Sequence, residues 1–169
     1  MSDAPPDADA ALPKDIADDE TIVRGILTPW HYKGGKLRRQ AFQPPKGSSE
    51  LSVMRLLKGS DFCKDKAVEI ASTNPKNRYS GLMTIRADAI RGDGRTKVVD
   101  SPDPPNFPGH ADITYDFKMP LDGDPPPSPE EWNRIHGALD ALLARAMYRH
   151  DPEPLSAGWK GTVLKIDAI

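Results

Sequence analysis

The chain has 169 residues, 37% of them apolar, with 18 prolines and a single cysteine. That length supports one domain with its own core, and one cysteine excludes an intrachain disulfide framework or a cysteine zinc site. The formal net charge of −2 hides a basic middle: residues 1–19 hold six aspartates and one lysine, residues 20–118 hold 17 Lys and Arg against 11 Asp and Glu, and residues 119–169 hold five against eight.

Residues 1–19, MSDAPPDADAALPKDIADD, read as a disordered acidic tail. They offer too little apolar surface to offset the entropy of ordering, so the tail is predicted to be dispensable and the domain to span residues 20–169. TIVRGILTPWHY (21–32) is rich in strand-forming types. KGGK (33–36) is a turn signal. A second strand centred on Gln40–Gln43 then makes 21–43 a hairpin. LSVMRLL (51–57) is another strand. A helix follows with Ser60 as N-cap, its period carried by Phe62, Lys66, Ala67, Ile70 and Ala71. Residues 74–81 form a loop. GLMTIRADAIRG (81–92) begins as a strand and turns into a brief helix at Ala87–Arg91, and TKVVD (96–100) is a short strand.

After the proline loop at 101–108, GHADITYDFK (109–118) gives the clearest period of two in the chain. Ala111, Ile113, Tyr115 and Phe117 are expected to point inward, and His110 and Asp112 to the wetter face. The strongest helix signal comes next. Ser128 is placed as N-cap, Pro129 at the first position and Glu131 at the third, a capping box. Trp132, Ile135, Leu139, Leu142 and Ala146 form one apolar stripe, so a long helix is predicted over 128–149, stopped by DPEP. The chain closes with a predicted strand at 162–166. The order implies a small single-domain α+β fold: a mainly antiparallel sheet with one short and one long helix, plus the brief turn of helix, all layered on one sheet.

No dinucleotide fingerprint, phosphate loop, zinc-protease motif or nucleophile elbow is present, and no cofactor is predicted. Among the four histidines, His136 and His150 sit on the long helix. His31 lies beside Trp30 and Tyr32, and His110 sits at a strand mouth. Asp112 could orient and charge-stabilise His110, with Ser52 as the nearby hydroxyl; these three are the catalytic candidates. Arg55, with Arg38, Arg39 and His31, could bind an anionic ligand. The alternative reading makes His110 a turn residue that binds a backbone carbonyl. His31, His110 and Asp112 are too loosely spaced to predict a metal. The YKGGKLRR hairpin interleaves basic and aromatic residues, the pattern with which proteins track single strands, and a charged surface hairpin is the competing reading.

The segments RRQAFQPP…ELSVMR and GLMTIRADAIR…KVVDSPDPPNFPGHADI resemble a group of small bacterial proteins with an L-S-x-x-R segment and a P-x-P-x-N-x-P-x-H-A-type segment. Leu51, Ser52 and Arg55 answer the first, and Asn106, Pro108, His110 and Ala111 the second. No activity is attached to that group. What the resemblance implies is that Arg55 and His110 belong to one site. The leading expectation is a non-catalytic binding or accessory protein of a bacterial cytoplasm, engaging a protein partner. The alternative is a small enzyme or ligand-binding domain that takes a phosphate-bearing or other anionic substrate through His110 and Arg55. No window is long and apolar enough to span a bilayer and no signal peptide is read, so membrane association is not expected.

Overall fold

The computed structural model describes residues 12–92, 94–103 and 105–166. In chain order the elements are β1 (Thr21–Thr28), β2 (Tyr32–Lys33), β3 (Lys36–Leu37), β4 (Glu50–Arg55), α1 (Ser60–Ala71), β5 (Arg78–Arg86), α2 (Ala87–Arg91), β6 (Lys97–Asp100), β7 (His110–Thr114), α3 (Pro129–Leu143) and β8 (Met147–His150). Six strands form one sheet in the order β6-β7-β4-β1-β5-β8, with every neighbouring pair antiparallel. The ribbon of β2 and β3 stands apart from it. The α+β reading holds.

The helices lie on both faces of the sheet. Ile22, Ile26, Leu51, Val53, Met83, Ile85, Ala111 and Ile113 meet Ile135, Leu139 and Leu142 of α3 and Ile90 of α2 in the larger core. Val23, Met54 and Leu82 meet Cys63 and Ala67 of α1 in a second, smaller core. The cause is visible in β1, where Ile22-Val23 and Ile26-Leu27 are apolar doublets. A strand with one wet face alternates, whereas a strand covered on both faces carries such runs. At Gly25 the fit is tight, since a Cβ there would stand 2.6 Å from the Ala67 Cβ.

The alternation in β7 and beyond is as expected, with Ala111, Ile113, Tyr115 and Phe117 all buried. The KGGK turn is also as expected, with Gly34 and Gly35 at φ +62° and +79°, the left-handed values a tight hairpin demands. Several boundaries differ. Residues 39–41 form a 3-10 turn instead of a strand, because Ala41 and Phe42 turn inward to fill the larger core. The N-cap position of α1 is Gly59, with no side-chain cap. Ile70 points outward while Cys63 and Lys64 point in.

The long helix ends at Leu143, not at 149. Residues 147–150 leave the helical path to extend the sheet, pairing with Thr84–Gly81 of β5. No strand forms at 162–166. That segment belongs to a C-terminal arm bound by side chains of α1 instead of by a sheet edge. Asp65 accepts the Gly158 N–H at 3.1 Å and Asp61 the Trp159 N–H at 2.8 Å. Lys64 Nζ reaches Asp151 at 2.7 Å and the carbonyls of Glu153 and Gly158. Leu164 fills the second core.

The predicted tail is also shorter than 1–19. Residues 1–11 lie outside the described residues, but 12–19 pack on the domain. Ile16 is 5% exposed in the larger core. The Asp88 N–H donates to the Asp18 carbonyl at 2.9 Å, and Arg91 pairs with the Asp18 carboxylate at 2.8 Å. One well-placed isoleucine anchors the segment despite its acidic composition. Deleting residues 1–19 is therefore expected to lower unfolding stability by about 2 kcal/mol through the lost burial of Ile16. A urea midpoint that does not move would show the anchor to be inert.

Candidate functional site

Arg55 is fully buried and its charge is consumed inside the protein. Its Nε and Nη2 donate to the two Glu20 carboxylate oxygens at 2.6 and 2.9 Å. Its Nη1 donates to Asp100 Oδ1 at 2.9 Å and to the Pro13 carbonyl. Burial opposes the charge, but these partners more than offset it and hold the guanidinium above its ordinary range. Arg55 follows Leu51 and Val53 on the face of β4 that packs on the larger core, whereas Ser52 and Met54 alternate to the other. It cannot serve as an anion clamp, and the site joining Arg55 to His110 is not formed.

His110 does sit at a strand mouth, partly exposed. Its Nδ1 lies 2.8 Å from both the hydroxyl and the carbonyl of Ser101, and its ring meets Phe107 edge-on at 4.8 Å. Nε2 stands 3.8 Å from Asp112 Oδ1. Ser52 and Asp112 face one another in register, but the residue opposite His110 is Met54. A nucleophile needs its base within hydrogen-bond reach, and this register separates the two. His110 instead ties the proline loop to β7, where an Asp103–Phe107 bridge closes the turn. Arg38 is exposed and Nη1 donates to the carbonyls of Pro29 and Trp30, both at 3.3 Å. Arg39 makes a two-point ion pair with Asp140 on α3 at 2.7 and 2.9 Å. Of the seven candidates, Ser52, His110 and Asp112 thus share one face of β4 and β7, while Arg55, Arg38 and Arg39 are engaged elsewhere, and among the described residues no cluster of potential metal ligands forms.

His31 leads to a different place. It is buried, its Nδ1 accepts the Leu27 N–H at 3.1 Å, and its ring stacks on Trp30 at 4.7 Å. With Nδ1 accepting, the neutral ring carries its proton on Nε2, so the approach of Arg24 Nη1 at 3.5 Å acts as a charge contact. Burial first, and then the Arg24 charge, lower its pKa to about 3. A histidine that folds neutral adds stability above its unfolded pKa, and loses it as pH falls towards the folded value. Between pH 6.5 and 5 this one group is expected to remove roughly 1.5 kcal/mol. Urea unfolding at the two pH values should show that loss, and His31→Asn, which keeps an acceptor without titrating, should lose less.

Around Trp30 and His31 lies a cleft of about 230 Å³ between α1 and the β1–β4 part of the sheet. Gly25, Leu27, Ser52 and Met54 form its floor, Ala67 and Ile70 one wall, and Thr73 and Asn74 the lip, while Phe107 also lines it. Trp30 and Ile70 are 44% and 52% exposed. Helical periodicity grouped Ile70 with the inward residues Ala67 and Ala71, which concealed this wall of the cleft. Cys63, behind it, is buried and its thiol is pushed up to about 12, so it supplies no nucleophile. Among the described residues no helix is long and apolar enough to cross a membrane. No family model, curated protein or solved structure matches the chain.

Proposed function

We propose that this is a non-catalytic binding protein and that the cleft beside Trp30 is its binding site. The observation that carries this reading is a large, half-exposed indole standing at a mostly apolar cleft. Apolar clefts with a few polar groups at the lip are the usual form of ligand sites. The chemistry of the walls favours binding. His31 stays neutral far below physiological pH, Arg24 donates to the Ala41 carbonyl, and the histidine that would have served Ser52 as a base lies opposite Met54 instead. A single buried thiol suits the reducing cytoplasm expected from the composition.

Indole, a small uncharged aromatic, provides the test. Titrated into the protein, it is expected to shift NMR signals of Ile70, Met54 and Trp30, and Ile70→Glu should abolish those shifts by placing a charge in the wall. Shifts confined to other surfaces, or none at all, would sink the cleft as the site.

A further inference from the structure

The cleft opens beneath a patch of uncompensated positive charge. Residues 21–49 contain no Asp or Glu, and neither do residues 70–87. These two acid-free stretches meet at the cleft. The Trp30 N–H donates to Asn77 Oδ1 at 3.2 Å, and Thr28 pairs with Arg78 where β1 meets β5. Lys76 and Arg78 therefore flank Trp30 on one side. On the other, Arg38 is held against the Pro29 and Trp30 carbonyls, and Lys33 and Lys36 face one another in the β2–β3 ribbon. All five are exposed, and none has a carboxylate partner among the described residues. The nearest acid on α1, Glu69, is engaged by Lys66 at 3.2 Å. Asp112 lies beyond Ser52 on β7.

We propose that the cleft binds single-stranded nucleic acid, taking one base against Trp30 and holding the neighbouring phosphates on Arg38, Lys76, Arg78 and the β2–β3 ribbon. This rests on the cleft being a binding site. Three observations select this ligand. The walls are mostly apolar with an indole at the mouth, which suits a base, because every base has a face that stacks on an aromatic ring. The lip offers hydrogen-bonding groups for a base edge: Asn74 spends its Oδ1 on three N–H groups of Lys76 and Asn77, which leaves Nδ2 to donate. Five cations spread over the two acid-free stretches exceed what one phosphate needs and match a backbone that continues past the bound base. A duplex keeps its bases stacked inside and has none to offer the cleft.

The test is fluorescence anisotropy of a labelled single-stranded dA decamer, with the matching duplex, AMP and adenosine as competitors. The decamer should bind with a salt dependence of about −0.7 in log K per log salt for each phosphate held. Trp30→Ala should weaken binding about tenfold or more, the scale of one lost base stack. Lys76→Ala/Arg78→Ala, at two exposed positions whose side chains make no hydrogen bond or ion pair among the described residues, should flatten the salt slope while leaving the fold unchanged by circular dichroism. Indole should compete with the decamer. If indole binds in the cleft and the decamer does not, the nucleic-acid inference falls and the binding site stands. If neither binds, both fall. Competition by AMP as strong as by the decamer would overturn the strand in favour of a free nucleotide, and equal competition by the duplex would overturn the role of the base.

Discussion

Arg55→Ala is expected to cost about 3–5 kcal/mol, the range for removing one member of a buried charge network. The substitution leaves Glu20 and Asp100 facing each other without the cation between them, and frees the Pro13 carbonyl. Three separate parts of the chain then lose their common anchor: the segment before β1, the end of β4 and the end of β6. Chemical denaturation reads the loss directly. Arg39→Ala is the control. Its ion pair with Asp140 is half exposed on both sides, and surface pairs contribute little. Equal effects from the two substitutions would mean that the Arg55 network is no more than a surface pair in weight.

Lys64→Ala is expected to release the C-terminal arm, again at about 3–5 kcal/mol. The Lys64–Asp151 pair is almost completely buried, with side chains 1% and 0% exposed. Tyr79 adds a hydrogen bond to Asp151 at 2.6 Å. Limited proteolysis should then cut within 152–166 much faster than in the parent, and an unchanged cleavage rate would show the arm to be held by Leu164 and the α1 aspartates alone. Acid should act in the same direction. Burial works to raise the Asp151 pKa, but the hydrogen bonds from Lys64 and Tyr79 prevail and lower it. A carboxylate depressed in the folded state stabilises above its unfolded pKa, and that contribution disappears as pH falls through the folded value. The arm should therefore loosen below the ordinary carboxylate range.

What could be read from the sequence follows from how each element is solvated. β7 was legible because one of its faces is wet, so Ala111, Ile113 and Tyr115 alternate with polar neighbours. The start of α3 was legible because Ser128 accepts the Glu131 N–H at 3.2 Å, a local interaction with a local signature. Its end was not, because Ala146 and Tyr148 continue an apolar pattern that strand β8 also uses, packing Tyr148 on Tyr32 at 4.0 Å. Ile16 was invisible among aspartates, since its burial depends on a pocket made by distant residues. The candidate site was misread for a related reason. Arg55 and His110 are close along the sheet, but a shift of one residue between neighbouring positions sends their side chains to opposite faces. The cleft had a signal in the two acid-free stretches, yet only the fold shows that they meet.

The contact between Gly25 and Ala67 has a consequence for descent. The two positions share one small volume, so their combined side-chain size is capped while each identity is free. In a lineage that keeps this fold, a methyl gained at position 25 must be matched by one lost at position 67, and the pair should covary across the sheet–helix boundary. Because both residues line the cleft, the same exchange would move a bump from wall to floor and reshape what the cleft accepts without displacing α1. Divergence of ligand preference could then proceed through this compensated pair while stability stays nearly level.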